Sequence, residues 1–159
     1  MNKMLRFLGA LVVVFGIIGL VVGTTVFCLA YDKQNWMTDA MKQEKVQLAE
    51  LGVKGAGPDE IIDNAAAAQL AADTVRTHRH SIAPTYGDLM AGGKFDPTNI
   101  KHLTYAQALN LENYLYLGVL GFGVAQLAMG MGAFMVLTGL ALCVIGIVLF
   151  RLASQLKTG

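Results

Sequence analysis

The fold is decided by the uncharged stretch Asn113–Phe150, which reads NYLYLGVLGFGVAQLAMGMGAFMVLTGLALCVIGIVLF. As one helix it would run about 57 Å against about 30 Å for the hydrocarbon core of a bilayer, and two short spans with a turn at 130–132 are the alternative. Small residues decide between the two, because they recur every seven residues at Gly118, Ala125, Gly132, Gly139, Gly146 and Ala153. A turn would break this register, whereas a seven-residue period is typical of one continuous helix with a packing seam. The sequence therefore predicts one long helix.

A second uncharged stretch, Phe7–Tyr31, repeats the pattern with Gly9, Gly16, Gly23 and Ala30. Small residues let helix backbones approach closely in lipid, where the hydrophobic effect does not drive helices together. If the two spans pack antiparallel, the expected pairs are Gly9 with Gly146, Gly16 with Gly139, Gly23 with Gly132, and Ala30 with Ala125. We therefore predict an all-α fold, a two-span transmembrane helical hairpin whose long helices extend into an extracytoplasmic helical segment.

The charges support a membrane location and give an orientation. Charged residues make up 14% of the 159 residues, whereas a soluble domain carries roughly a quarter. The tails 1–6 and 151–159 carry positive charges and no acid, while residues 32–112 hold all 11 acidic residues. The positive-inside tendency then predicts a plasma (inner) membrane protein with both termini cytoplasmic and residues 32–112 extracytoplasmic. No basic surface suited to nucleic acid is evident.

A cleaved signal peptide is the alternative for the first stretch. Lys3 and Arg6 resemble the charged start of a signal peptide, and Cys28-Leu29-Ala30 resembles a small-residue cleavage site. The apolar stretch, however, is longer than the ~7–15 residues of a signal peptide. We expect it to be retained as an anchor.

The predicted organisation continues outside the membrane. One helix should continue from the first span to a stop at Gly52, a second should begin at Pro58, and Thr104 should cap a last helix that enters the second span. Residues 113–124 should then project beyond the bilayer as an apolar helix that something must cover. The predicted segments are a tail (1–6), a first span (7–31), the outer segment (32–112) with a loop (81–103), the apolar extension (113–124), a second span (125–150) and a tail (151–159).

The candidate ligand or metal residues are His78, His80 and His102. His78 and His80 are two residues apart and should point to different helix faces, and no cysteine or paired carboxylate completes a familiar ligand spacing. His78, His80 and Asp88 together would supply the two-His, one-carboxylate set of an iron site, but the sequence gives no positive sign of one. Neither span contains a histidine or a charge. We therefore predict no catalytic residue and no cofactor, and a non-enzymatic protein that acts in a homo-oligomer or a larger membrane complex. A metal-dependent accessory factor or enzyme that uses the three histidines is the alternative.

Parts of the sequence resemble a known group. The stretches Gly121–Ala125, Met129–Leu142 and Arg79–Gly87 are similar to small two-span membrane proteins of high-GC Gram-positive bacteria, whose members often carry the name aromatic ring-opening dioxygenase. The iron-ligand set of such dioxygenases does not map onto this sequence. The resemblance therefore implies a two-span topology and no catalytic residue.

Overall fold

The computed structural model describes residues 2–155, which contain four α-helices. They are α1 (Asn2–Glu44), α2 (Ala65–Ile82), α3 (Tyr86–Met90) and α4 (Ile100–Gln155). The described residues contain no strand, only an isolated antiparallel bridge between Gln47 and Ile61. The predicted all-α class is therefore confirmed. The predicted tails 1–6 and 151–159 extend past the described part, because Met1 and residues 156–159 lie outside it.

Helices α1 and α4 are the two long apolar helices of the chain, with 43 and 56 residues. Both are long and apolar enough to cross a membrane. Helix α4 continues without interruption through residues 130–132. The predicted single helix is therefore present, and the alternative of two short spans with a turn at this point is wrong.

The chain divides into two compact units. Unit 1 comprises Met1–Lys33 and Ala125–Gly159, and unit 2 comprises Gln34–Val124. Each long helix contributes one part to each unit.

Unit 1 is held together by close backbone contact between glycines of α1 and α4. A Cβ atom on Gly16 would lie 2.8 Å from the carbonyl oxygen of Gly139, and one on Gly23 would lie 2.8 Å from that of Gly132. A Cβ atom on Gly9 would lie 3.2 Å from the carbonyl oxygen of Gly146. Because the partner number falls as the α1 number rises, the two helices run antiparallel here. Small residues on both helices are required for this distance of approach.

The seven-residue series is buried along both helices of unit 1. Its buried members are Gly9, Gly16, Gly23, Ala30, Ala125, Gly132, Gly139, Gly146 and Ala153. In unit 2 the next member, Gly118, faces Met41 of α1, whose methyl group occupies the space that a side chain on Gly118 would need. The small residues therefore set a close spacing between α1 and α4 within each unit.

Unit 2 has an apolar core in which α2 packs on α4. Helix α2 presents one continuous alanine face, with Ala68, Ala71 and Ala72 fully buried. These small side chains allow a close approach to α4, whose Leu115 joins the same core. The remaining buried members of this core are Leu48, Val53, Ile62, Ala67 and Val75.

Helix α1 ends earlier than the sequence predicts. It stops at Glu44 and is followed by Lys45 in the left-handed conformation (φ 50°), rather than at Gly52. The chain then pairs with itself, since the Leu48 N–H donates to the Glu60 carbonyl at 2.8 Å and the Ile62 N–H donates to the Val46 carbonyl at 3.0 Å. This turn places Leu48 in the core, with 1% of it exposed. Burial of the 46–62 segment thus overrides its helical pattern.

Two predicted helix starts were also wrong. Helix α2 begins at Ala65 rather than at Pro58, because residues 60–62 are occupied by the pairing with 46–48, and the Asn64 side chain caps α2 by accepting from the Ala67 N–H at 2.9 Å. Helix α4 begins at Ile100, before Thr104, and the Asn99 side chain accepts from the Lys101 N–H at 3.0 Å.

The predicted loop 81–103 is shorter and partly helical. It contains α3, which the Thr85 hydroxyl caps by accepting from the Asp88 N–H at 3.1 Å. The first residues of α4 also fall within it. Ala91 ends α3 in the left-handed conformation, with φ 45°.

Candidate functional site

Unit 2 exposes a row of large apolar side chains on α4. It consists of Tyr114, Leu117, Leu120 and Val124, which we call the α4 face, and these residues are 71%, 60%, 61% and 57% exposed. Their spacing of three or four residues places them on one side of the helix. Large apolar side chains exposed in a row mark an interaction surface or a lipid contact.

Other positions of the same α4 segment are covered within unit 2. Gly118 and Gly121, which adjoin the α4 face, lie against Met41 and Met37 of α1. Leu115 and Phe122, on the far side, are buried, with 7% and 2% exposed. Sequence reasoning predicted that this extension would need a cover, and unit 2 supplies one for these positions.

The neighbouring part of α1 is charged. Asp39 lies two residues from both Met37 and Met41, the side chains that contact α4, and Lys42 follows Met41 directly; both charged residues are exposed. Charged side chains avoid the hydrocarbon of a bilayer. The α4 face is therefore at a level of unit 2 that suits water better than lipid.

A hollow of about 200 Å³ opens beside the α4 face, within unit 2. Its lining is almost entirely apolar and comprises Met41, Glu44, Val46, Ile62, Leu111, Tyr114 and Leu115. Glu44 supplies the one charged group of this lining.

A buried polar cluster joins α2 to α4. The Arg79 Nε donates to Glu112 Oε2 at 2.7 Å, and both side chains are at least nine-tenths buried. Arg79 also donates through Nη1 to the Tyr105 hydroxyl. The hydrogen bond to Glu112 is the main cause that raises the pKa of Arg79 above its usual value. The guanidinium is therefore bonded on several sides, and the cluster links α2 to α4 through groups that are engaged with one another.

A second polar link lies on the outside of the same helix pair. The Tyr116 hydroxyl donates to Asp73 Oδ1 at 2.7 Å. This hydrogen bond lowers the pKa of Asp73 and raises the pKa of Tyr116. It therefore ties the exposed edge of α2 to α4.

The three predicted ligand histidines have separate surroundings. His102 Nδ1 accepts from the Asp96 N–H at 3.0 Å, and His80 Nε2 lies 3.1 Å from Arg79 Nη2. His78 lines an open cleft of about 390 Å³ with Glu50, Gly52, Thr104 and Gln107 among its neighbours. Within residues 2–155, no group of three or more His, Cys, Asp or Glu side chains is placed to hold a metal ion.

Sequence reasoning missed the buried Arg79, Glu112 and Tyr105. Of the polar residues around Arg79 it considered only the histidines His78 and His80. One signal was available, because Tyr105 and Glu112 are seven residues apart and therefore share a helix face with the core. A carboxylate on a buried face requires a cationic partner, and Arg79 is the one that α2 places there.

Comparison with protein-family models, with curated proteins and with solved structures gives no match to this chain.

Proposed function

We propose that this chain is a non-enzymatic, two-span membrane protein that acts as an assembly subunit through the α4 face of its extracytoplasmic unit 2. The main support for this proposal is that the α4 face is exposed beside a charged part of α1. The α4 face consists of Tyr114, Leu117, Leu120 and Val124. Covering such a surface with another protein in water is favourable, by roughly 25 cal/mol for each Å² of apolar area buried.

The membrane part of the proposal rests on the character of the two long helices. In the most apolar 18-residue window of each helix, only 11% of the residues are buried. A core helix of a soluble domain would be mostly buried, whereas a lipid-facing helix exposes its apolar side chains. The close approach of α1 and α4 also favours retention of α1: a Cβ atom on Gly16 or Gly23 would lie 2.8 Å from a carbonyl oxygen of α4, and a cleaved signal peptide does not need such a fit.

The orientation follows the charges. Lys3, Arg6 and Arg151 lie at the two ends assigned to the cytoplasm, and every acidic residue lies between the spans 7–31 and 125–150. Tyr31 and Trp36, which are 54% and 66% exposed, then lie near the outer membrane interface, where amphipathic aromatic rings are enriched. The resemblance to small two-span membrane proteins is consistent with this arrangement.

An assembly role is favoured over catalysis by what the polar groups do. Arg79, Glu112 and Tyr105 are engaged with one another, and Asp73 is engaged with Tyr116. These groups hold α2 on α4 and so fix the shape of the surface beside the α4 face. Rigid helices are suitable supports for an interaction surface.

The experiment is purification in a mild detergent with three readouts: the mass of the protein complex, the identity of co-purifying chains, and hydroxyl-radical labelling of side chains. We expect a mass above that of one chain, together with protection of Leu117 and Leu120. Ile100, which is 80% exposed at the start of α4, should remain labelled and serves as an internal control. A monodisperse single chain with Leu117 and Leu120 labelled as strongly as Ile100 would refute the proposal.

A further inference from the structure

The loop 91–99, between α3 and α4, is connected to the first turn of α4 through His102. The Asp96 N–H donates to Nδ1 of the His102 ring at 3.0 Å. The Phe95 ring packs beside the same imidazole, with ring centroids 5.7 Å apart and planes inclined by 30°. Two successive residues of the loop therefore contact one side chain of α4.

The hydrogen bond from Asp96 requires an unprotonated Nδ1. An imidazole nitrogen accepts through its lone pair, and both ring nitrogens become donors when histidine is protonated. From this geometry we assign the neutral ring with its proton on Nε2. Histidine is the side chain that ordinarily changes its charge between pH 5 and pH 8. Protonation would set the N–H of Nδ1 against the N–H of Asp96, and the hydrogen bond between them would be lost.

The carboxylate of Asp96 holds a turn within the loop. Its Oδ1 accepts from the Thr98 N–H at 2.8 Å and from the Thr98 hydroxyl at 2.7 Å. These two hydrogen bonds, with that of the hydroxyl as the larger cause, lower the pKa of Asp96 below its usual value. Asp96 therefore stays ionised while a histidine titrates, and the turn at 96–98 keeps its charge and its hydrogen bonds.

The charges around His102 act on the ring but cannot replace the lost hydrogen bond. The Asp96 carboxylate attracts a protonated His102. Lys101, its neighbour on α4, and Lys94 in the loop are positive and oppose protonation. Attraction to the carboxylate can keep an imidazolium close to the loop, yet it gives the Asp96 N–H no acceptor. The N–H of Asp96 is therefore the group that reports the charge of the ring.

We propose that the Asp96–His102 hydrogen bond is a pH-sensitive link, present while His102 is neutral and lost when His102 is protonated. Acidification then releases the Asp96 backbone, and with it the middle of loop 91–99, from the start of α4. This inference does not depend on the proposed function. In the orientation proposed above the loop lies outside the cell, so the external pH would set the state of the link.

The test is amide hydrogen exchange of the full chain in detergent micelles at pH 7.5 and pH 5, followed for single residues by NMR spectroscopy. Each rate is compared with that of an unstructured peptide at the same pH, which gives a protection factor, and the ring signals of His102 report its protonation. The protection factor of the Asp96 N–H should fall about 2- to 10-fold on acidification, the range expected for one hydrogen bond. The Thr98 N–H, bound to the ionised carboxylate, should keep its protection.

Two variants assign the response to one ring. His102→Ala should show the low protection of the Asp96 N–H at both pH values. His78→Ala is the matched control, because it removes an exposed histidine of unit 2 that lies against Gly52 rather than against the loop, and it should keep the response of the wild type. Circular dichroism of each variant checks that the helices are retained.

Three results would overturn the pH-sensitive link. The first is equal protection of the Asp96 N–H at both pH values while the ring signals show that His102 has become protonated. The second is a His102 ring that stays neutral at pH 5, since the link would then not respond in this range. The third is a pH response of the Asp96 N–H that persists in His102→Ala.

Discussion

A single methyl group added at Gly132 tests the close helix packing of unit 1. In Gly132→Ala the new Cβ would lie 2.7 Å from the Gly23 carbonyl oxygen and 2.8 Å from the Phe27 nitrogen. Ordinary contact begins at 3.4 Å, so the helices would have to separate by about 0.7 Å, and both obstacles are backbone atoms that cannot rotate away. Overpacking of this kind typically costs about 1–3 kcal/mol.

The matched control is Gly130→Ala, two residues away on the same helix. A Cβ atom at Gly130 meets no heavy atom within 4 Å. Both variants gain the same helix propensity, up to about 1 kcal/mol per Gly→Ala change. The difference in unfolding free energy between the two therefore isolates the packing cost.

The assay is reversible unfolding in mixed micelles, with sodium dodecyl sulfate as the denaturant and circular dichroism as the signal. We expect Gly132→Ala to be less stable than Gly130→Ala by about 1–3 kcal/mol. Equal stability of the two variants would show that α1 and α4 do not pack through Gly23 and Gly132 and would refute the reasoning.

The remaining stability predictions concern unit 2. Glu112→Ala should lower the unfolding free energy by about 3–5 kcal/mol, because it leaves the buried Arg79 without its counter-charge, and chemical denaturation measures this. Arg76→Ala should change the unfolding free energy by less than about 1 kcal/mol, because the Arg76 side chain is 55% exposed and lies 3.9 Å from Glu112. An equal loss of stability in both variants would contradict a special role for the buried Arg79–Glu112 pair. The hydrogen bond from Tyr116 lowers the folded-state pKa of Asp73. Its contribution to the free energy of unfolding is therefore present above the unfolded pKa of about 3.9 and disappears as pH falls through the folded pKa. Tyr116→Phe should therefore be less stable than wild type at pH 7 and converge with it in acid, and a pH-independent gap would contradict this.

The long helices were predictable because their pattern does not depend on distant residues. In Asn113–Phe150 the absence of charge and the regular spacing of small residues both favour one helix. The unbroken α4 is the consequence. Local signals of this kind can be interpreted from the sequence alone.

The fold of the 45–64 segment was not predictable in the same way. Its helical pattern and the proline at 58 favoured helices, yet Leu48 and Ile62 are buried and the backbone pairs at Leu48–Glu60 and Val46–Ile62. Tertiary burial outweighed local propensity, which is worth less than about 1 kcal/mol per residue. No feature of the local sequence indicated that residues 46–48 and 60–62 would pair.

The candidate site was also predicted only in part. The sequence predicted that residues 113–124 would be an apolar helix in need of cover. It did not predict that Leu115 and Phe122 would be covered within unit 2, leaving Tyr114 and Leu117 exposed. That distinction depends on contacts between distant parts of the chain, such as the packing of Leu115 with the alanines of α2 and of Met37 and Met41 on α4.

The most direct test of the account is the side of the membrane on which unit 2 lies, because assembly through the α4 face requires that side to be aqueous. Cysteines are placed singly at Gly55, in unit 2, and at Ser154, near the end of α4, in a chain without Cys28 and Cys143. Intact cells are then treated with a membrane-impermeant thiol reagent. The account predicts labelling at position 55 and protection at position 154 until the cells are opened. Labelling of both positions, or of position 154 alone, would contradict the account.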